Sequence, residues 1–294
     1  MVRPLTAHEF DEAVVNRLDF DRHGLIVAEH AGDLVGFAHA GFGPDEPDGR
    51  THRLDPLLGT VAMLVVDPGW ADDPAVGARL LHDAEGYLVE RQAQVLYAGG
   101  RAPLDPFYRS LYGGSEWSGI LDRHVGFHRV VEAAGYAVVA RSLQFEIDLA
   151  APEVRDPKAA ILRRQTRLEV VEEAQPAGWW DALAIGPGTE SQYRLLAKGT
   201  DTEIARGSTW DMAAFGRADG RSRVGLRGVE VAALCRRQGF GRYFVTEILR
   251  HARGHWAEVV AVATDATNLP AHRLYESLGF RPTGTSSLYR KPGL

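Results

Sequence analysis

A glycine-rich turn in the C-terminal half has the composition of a phosphate-binding loop. The strand-like run GVEVAAL leads into CRRQGFG at residues 235–241, and helical periodicity begins directly after it. Glycine lets an anion approach the backbone closely, and the amide groups at a helix N-terminus carry partial positive charge. Arginines at positions 236, 237 and 242 add cationic charge. The turn is either a phosphate site or a purely structural helix start, and its glycine spacing alone favours neither.

A second motif, NLPAHRLYESLGF at residues 268–280, reads as a helix that carries Tyr275. Helical spacing groups Tyr275 with Leu274 and Leu278, and an aromatic residue in such a group is by itself more often part of the core. A phenol can also act as an acid. Its role therefore depends on the motif around it.

Together, the pattern R-x-x-G-x-G and the following N-x-P-A-x-x-L-Y-E-x-L-G-F resemble the GNAT superfamily of N-acetyltransferases over residues 224–291. The resemblance implies that amides of the turn bind the pyrophosphate of CoA and that Tyr275 is the general acid that protonates the leaving thiolate. It also implies an oxyanion donor on the backbone near Val231, and a cofactor-side or helix-start contact from Asn268. The cofactor-binding residues implied in this way are Val231, Arg236, Arg237, Gln238, Gly239, Phe240, Gly241, Arg242 and Asn268.

Acyl transfer needs these parts independently of the resemblance. An amine that attacks a thioester creates an oxyanion, which needs a fixed donor, and expels a thiolate, which benefits from a nearby acid. A strand edge and a phenol supply both. The general base is less defined: Glu230, one residue before Val231, points to the opposite face of the strand and either reaches the amine through water or only keeps the strand soluble.

Three further groups of residues have both a chemical and a structural interpretation. Asp211 and Trp210 could line an acceptor pocket, although a tryptophan on a strand more often packs in the core. His251 and His255 have the i, i+4 spacing of metal ligands, but no third ligand is evident and the sequence predicts no metal. Cys235, beside the arginines, is more often a small filler than a reactive thiol.

The elements that position these residues follow a mixed order of strands and helices. The C-terminal half reads as hairpin strands over 209–234, a helix over 240–254, a strand over 257–265, a helix over 269–280 and a final strand. The N-terminal half repeats this order, beginning with a hairpin around residues 31–33. Its predicted helix over 77–93 has an apolar stripe that comprises Leu80, Leu81, Ala84, Tyr87 and Leu88.

The predicted fold class is therefore α/β, with two tandem GNAT-like domains that each form a twisted mixed sheet flanked by helices. A chain of 294 residues also exceeds the roughly 100–200 residues of a typical single domain. We place the first domain at residues 1–150 and the second, which carries the CoA site, at residues 151–294. The boundary falls in LAAPEVRDPK at 149–158, whose prolines and charges are typical of a linker.

The N-terminal copy is expected to lack catalysis. In its loop, at residues 67–77, acids replace the arginine position and repel a pyrophosphate. Alignment of the two copies places Val131 at the position of the catalytic tyrosine and His124 at that of the helix-start asparagine. The copy also carries an insertion, FYRSLYGGSEWSG at 107–119, whose aromatic residues and glycines suit either a substrate lid or an ordered loop.

Composition argues against several classes of function. The net charge of −6 gives no basic footprint for nucleic acid, and no run approaches the roughly 20 apolar residues of a membrane helix. A single cysteine excludes an intrachain disulfide, and the N-terminus lacks an apolar signal segment, so we expect a cytoplasmic protein.

The expected function is transfer of an acetyl or short acyl group from acetyl-CoA to a primary amine, with a small-molecule acceptor favoured. The alternative is a CoA-binding sensor or scaffold without turnover.

Overall fold

The computed structural model shows one continuous mixed sheet with helices packed on it. It describes residues 2–17, 19–45, 53–100, 107–108, 111–116, 119–176, 178, 182 and 189–293. Within these residues the sheet has 12 strands. Their bounds are β1 Leu25–His30, β2 Asp33–Pro44, β3 Leu54–Val66, β4 Val95–Ala98, β5 Ile120–Leu121, β6 Ala137–Asp148, β7 Thr166–Val171, β8 Glu190–Ala197, β9 Glu203–Asp211, β10 Arg223–Val231, β11 Val259–Asp265 and β12 Arg281–Arg290.

The helices include the three that apolar periodicity predicts over 77–93, 240–254 and 269–280. Their bounds are α1 Ala7–Phe10, α2 Pro74–Glu90, α3 Val125–Ala133, α4 Ala159–Gln165, α5 Phe240–Gly254 and α6 Leu269–Leu278. The predicted stripe of α2 is buried along its whole length. None of the described helices is long and apolar enough to cross a membrane.

The two halves repeat one unit. In the first half, β3 and β4 run parallel and α2 connects them; in the second half, β10 and β11 run parallel and α5 connects them. The α3 and α6 helices follow in equivalent places, and each ends before a glycine with positive φ, at Gly135 and Gly279. The α/β fold with two tandem copies, as predicted from the sequence, is confirmed.

The two halves share one sheet because each contributes a strand to the other. The strand order is β1-β2-β3-β4-β12-β6-β11-β10-β9-β8-β7, with β5 pairing to β12. β6, which belongs to the first copy, pairs through its residues 142–148 with the whole of β11 of the second copy. β12, which belongs to the second copy, pairs with β4 through Tyr289 and Arg290. The boundary between residues 150 and 151 stays a prediction, but the two sheets expected from the sequence are joined into one.

Packing of α5 fixes the direction in which its N-terminus points. Phe244, Val245 and Ile248 are fully buried in the core of the second half, at the spacing of one helix face. Burial of a side chain of this size stabilises the fold by about 1.5–3 kcal/mol. The position of the glycine turn that precedes α5 therefore follows from the core of the second half.

Candidate functional site

The turn before α5 presents a row of backbone amides without acceptors. Gly239 is the N-cap of α5, has φ +99° and has no side chain that could cap the helix. The first hydrogen bond of the helix runs from the Tyr243 amide to the Gly239 carbonyl at 3.0 Å. Within the described part of the chain, none of the six consecutive amides from Arg237 to Arg242 donates a hydrogen bond. Free amides at a helix N-terminus form an anion-binding site.

Side chains hold the turn and add positive charge to it. Arg236 Nε donates to the carbonyl of Val231 at 2.9 Å, and Gln238 Nε2 donates to the carbonyl of Leu234 at 2.8 Å. These bonds fix the backbone of the turn against the end of β10. Arg237 and Arg242 form no ion pair with any described residue, so their charges are available to an anion.

A lysine that the sequence did not single out lies beside the turn. A Cβ at Gly239 would lie 3.3 Å from Cδ of Lys158, so the lysine side chain passes directly over the N-cap. Lys158 comes from the linker, immediately before α4. Nothing in its local sequence points to a site, because its role depends on how α4 packs against α5.

The parallel strands β10 and β11 separate next to this turn. They pair only where residues 223–226 meet residues 259–262, although β10 continues to Val231 and β11 to Asp265. A bulge in β10 shifts its register with β9 between Arg227 and Glu230, and Gly228 within it has φ +61°. The result is an opening in the sheet between the ends of the two strands.

The Val231 amide points into this opening. The next amide, that of Ala232, donates to the carbonyl of Ile204 on β9 at 2.8 Å. Successive amides alternate in direction along a strand, so Val231 and its cross-strand partner Ala205 form a non-hydrogen-bonded pair. The Val231 N–H therefore points away from β9 and toward the side where an oxyanion donor is expected.

Gly241 brings the turn, β10 and α6 together. A Cβ at Gly241 would lie 3.4 Å from Cγ2 of Val231 and 3.7 Å from Cδ2 of Leu274. Leu274 directly precedes Tyr275 on α6. The free amides, the end of β10 and the phenol-bearing helix are therefore neighbours, as the motif order predicts.

Tyr275 is a buried phenol. The residue is 5% exposed, and its ring packs against Phe145 and Phe280 with centroid distances of 6.0 and 5.3 Å. Burial, and secondly the charge of Glu116, raises the pKa of its hydroxyl. No hydrogen-bond partner for this hydroxyl is present among the described residues. The phenol is protonated at neutral pH and can donate to a ligand.

This site lies within a segment that matches a known family. Residues 204–280, from β9 to the end of α6, match the model of the acetyltransferase (GNAT) family. This segment is a GNAT acetyltransferase domain. It contains Val231, the six free amides and Tyr275.

Curated relatives of the GNAT domain align over part of the chain. Mycothiol acetyltransferase of Acidothermus cellulolyticus is 47% identical over 55 residues, which are 19% of this chain and 17% of that protein. N-acetylaspartate synthetase of Homo sapiens is 37% identical over 71 residues, which are 24% of each protein. The chain thus matches only a small part of the length of either relative.

Solved structures resemble the full chain in fold. A tandem GNAT protein from the clavulanic acid biosynthesis pathway has a TM-score of 0.62, with 15% identity, over 98% of this chain and 89% of that chain. A glucosamine N-acetyltransferase region of a fungal GH3 β-N-acetylglucosaminidase has a TM-score of 0.68, with 15% identity, over 98% of this chain and 35% of that chain. The chain has the fold of a tandem GNAT protein.

The insertion of the first copy reaches the GNAT domain. Trp210 Nε1 donates to the carbonyl of Ser115 at 2.9 Å, and Gln144 Nε2 donates to the carbonyl of Gly113 at 2.7 Å. These bonds attach the insertion to β9 and β6 and bring Glu116 near Tyr275. The described part of the insertion thus contacts the sheet of the second half, whereas Trp117 lies outside the described residues.

Several predicted residues have visible structural roles in the GNAT domain. Asn268 caps α6, since its Oδ1 accepts from the Ala271 amide at 3.3 Å and its Nδ2 donates to Thr264 Oγ1 at 3.2 Å. This geometry is the helix-start contact, one of the two roles expected of it. Glu230 accepts from Nε and Nη2 of Arg206 at 3.0 and 2.6 Å in an exposed ion pair. Its role as general base stays a prediction.

The remaining predicted side chains serve packing or local turns. Trp210 is buried and Cys235 is half-buried against the core of the second half. Phe240 packs against the same core. Asp211 accepts from the Ala213 amide at 2.7 Å and so stabilises the turn after β9.

The equivalent turn of the first copy is closed by its own carboxylates. Asp73 caps α2 by accepting from the Ala75 amide at 2.9 Å, and Asp67 accepts from the Gly69 amide at 2.8 Å. Pro74 at the first helical position has no N–H to offer. Val131, at the position of Tyr275, is fully buried. This arrangement supports the expectation that the first copy has lost the phosphate site.

Proposed function

We propose that this protein transfers an acetyl or short acyl group from acetyl-CoA to the primary amine of a small molecule. The observation that carries the proposal is the row of free amides from Arg237 to Arg242, which lies beside Val231 and beside Leu274, the residue that precedes Tyr275. The amides, together with Lys158 and the arginines, match a diphosphate in charge and in hydrogen-bond donors.

The residues of the opening fit direct attack without a covalent enzyme intermediate. The amine nitrogen bonds to the thioester carbon, the Val231 N–H stabilises the oxyanion, and the carbon–sulfur bond then breaks. Tyr275, as the general acid, gives its proton to the leaving sulfur and takes up a proton from solvent afterwards. The ammonium proton passes to a base, for which Glu230 through water is our candidate, or to solvent.

A small cationic acceptor fits the charges around Tyr275. Glu116 is the carboxylate whose charge affects the Tyr275 hydroxyl, and it can attract an amine to that place. The names of the two curated relatives, mycothiol acetyltransferase and N-acetylaspartate synthetase, also denote small molecules. The net charge of −6 and the single cysteine agree with a cytoplasmic enzyme that binds neither nucleic acid nor membrane.

Two measurements on the purified protein test the proposal. Calorimetry with acetyl-CoA measures binding, and release of free thiol measures turnover across a panel of amino sugars, amino acids, polyamines and amine-containing antibiotics. We expect binding and thiol release with at least one class of amine. Failure to bind acetyl-CoA would overturn the proposal, and tight binding with no turnover on any amine would support the sensor instead. Ester rather than amide products would identify a hydroxyl acceptor.

A further inference from the structure

Three metal-binding side chains meet at the far end of α5. His251 lies in the last turn of the helix, His255 is its C-cap residue, and Glu172 directly follows β7. Oε1 of Glu172 lies 3.2 Å from Nε2 of His251 and 3.2 Å from Nε2 of His255. The sequence supplied the two histidines but no third ligand; the fold supplies Glu172.

Both imidazole rings are held by their other nitrogen. Nδ1 of His251 lies 3.0 Å from the hydroxyl of Tyr193, which is 1% exposed and is itself 3.1 Å from Thr209 Oγ1. Nδ1 of His255 lies 2.9 Å from the carbonyl oxygen of His251. Such partners on the second nitrogen are typical of metal-ligating histidines, because they fix the tautomer and the direction of the first.

The hydrogen bond made by Nδ1 of His255 places two acceptor atoms opposite each other, namely its own Nε2 and a carboxylate oxygen of Glu172. A carbonyl oxygen can only accept, so Nδ1 of His255 carries a proton and, in the neutral ring, Nε2 carries a lone pair. That lone pair faces a carboxylate oxygen at 3.2 Å. A metal ion between these two acceptor atoms would be bound by both.

The distances fit a small divalent cation. Zinc bonds to nitrogen and oxygen at about 2.0–2.1 Å, so tetrahedral donors lie about 3.3 Å apart. The two measured donor separations of 3.2 Å match this value, and all three donor atoms lie within 4.8 Å of one another. Two imidazoles and a carboxylate are a donor set that suits zinc and its neighbours in the first transition row.

We infer that Glu172, His251 and His255 bind a divalent transition-metal ion of the zinc class, with water completing its coordination. The site is separate from the acyl-transfer site, since His251 lies twelve residues after Gly239 and thus about 18 Å along the helix. The ion joins the C-terminal end of α5 to the outer strand β7. Its role is therefore to stabilise the fold and not to take part in acyl transfer.

The test uses the full chain without an affinity tag, freed of metal by a chelator and then titrated with zinc chloride. Calorimetry and competition with a chromogenic chelator should show one zinc ion per chain, and zinc should raise the midpoint of thermal unfolding. His255→Ala and Glu172→Gln change exposed side chains and should each weaken zinc binding by at least about tenfold. Circular dichroism of both variants without metal establishes that they are folded.

A matched control is present in the same chain. His8 and Glu12 also form an exposed i, i+4 pair, with Nε2 and Oε1 3.5 Å apart. His8→Ala should leave zinc affinity and the zinc-dependent rise in the unfolding midpoint unchanged. The inference is overturned if the wild-type chain binds no zinc, or if His255→Ala and Glu172→Gln bind it as tightly as the wild-type chain and His8→Ala do. None of these readouts depends on acetyl-CoA, so the result is independent of the proposed function.

Discussion

At the scale of single residues, the protonation state of Tyr275 follows from its surroundings. Packing against Phe145 and Phe280 removes the water that would stabilise a phenolate, and the charge of Glu116 acts in the same direction. A thiol titrates near about 8.5 and an unperturbed phenol near about 10. Because its pKa is raised further, we expect proton transfer from Tyr275 to the leaving sulfur to be preceded by a hydrogen bond that strengthens as negative charge develops on the sulfur.

Removal of this hydroxyl should separate catalysis from binding. Tyr275→Phe keeps the ring and its packing, so we expect kcat to fall by about 10²- to 10⁴-fold while the Kd of acetyl-CoA stays the same. Steady-state kinetics and calorimetry measure the two quantities. Tyr136→Phe, which removes another buried hydroxyl, is the matched control and should leave kcat unchanged. Equal kcat values for Tyr275→Phe and the wild-type protein would show that Tyr275 only packs.

Glu116 should act on the acceptor amine and not on the cofactor. Glu116→Gln removes the negative charge near Tyr275, so the KM of a cationic amine should rise by about tenfold. The KM of acetyl-CoA should not change, because the free backbone amides that we propose for CoA binding lie on the α5 side of the opening between β10 and β11. Loss of acetyl-CoA affinity in this variant, with an unaltered KM for the amine, would contradict the assignment.

At the scale of elements, the same strand–turn–helix unit occurs twice in the chain, and the backbone amides of its turn are free in one copy and capped by carboxylates in the other. Before α5 the N-cap is Gly239 and the amides of the turn stay free, whereas before α2 the carboxylates of Asp67 and Asp73 accept from the amides of Gly69 and Ala75. A carboxylate cap stabilises a helix by about 1 kcal/mol. The α5 turn lacks that contribution, which is consistent with selection of this turn for ligand binding.

Gly239→Ala should weaken acetyl-CoA binding beyond its effect on stability. Its φ of +99° disfavours a side chain, and the new methyl would press on Lys158 beside the amides, so we expect the Kd to rise at least tenfold. Gly199→Ala is the matched control, because Gly199 has φ +90° and open space around it. Both variants should lose about 1 kcal/mol in urea unfolding. Equal acetyl-CoA affinities of the two variants would argue against the turn as the phosphate site.

At the scale of the whole molecule, exchange of β6 and β12 makes the two halves one folding unit. β6 covers the edge of β11 and also pairs with β12 along almost its entire length. Without β6 these strands would expose unpaired amides and carbonyls, which favour aggregation. The second half therefore depends on a strand that precedes the linker.

Chain fragments should reveal this dependence. A fragment of residues 151–294 lacks β6, so we expect it to aggregate or to lack cooperative unfolding. A fragment of residues 137–294 retains β6 and should be the more soluble and the more stable of the two. Size-exclusion chromatography and thermal circular dichroism compare them. Cooperative folding of the shorter fragment at the stability of the longer one would show that β6 is dispensable.

Stability of the whole molecule should fall in mild acid because of His39. Burial, and secondly the charge of Arg17, lowers the pKa of His39 to about 4 from the value of 6.5. The unfolded chain takes up this proton near pH 6.5 and the folded chain only near pH 4. The contribution of neutral His39 to the free energy of unfolding is therefore fully present above pH 6.5. It is lost as the pH falls toward 4, and the loss reaches up to about 3 kcal/mol.

Urea unfolding at a series of pH values measures this effect. His39→Gln should flatten the loss of stability between pH 6.5 and 4, because glutamine does not titrate. His23→Gln, at an exposed position, should leave the loss as it is in the wild-type protein. An unchanged pH profile for His39→Gln would assign the effect to other groups.

The sequence by itself determined the local parts of this protein. The helix predicted over 240–254 has these bounds in the structure, and the glycine turn and Tyr275 lie on the elements expected for them. Apolar periodicity and glycine starts and stops act between neighbours in the chain, so they can be read without knowledge of the fold. The altered turn of the first copy could be predicted from the sequence for the same reason, because the aspartates that accept from its amides lie within the turn itself.

Only the tertiary structure decided which distant residues join each site. Lys158 at the amides, Glu116 at the phenol and Glu172 at the two histidines are each far in sequence from the groups they approach. Their local sequence is that of ordinary charged surface. The exchange of β6 and β12 was equally unpredictable, because backbone hydrogen bonds are the same whichever strand supplies them and only the packing of the whole chain selects the partner.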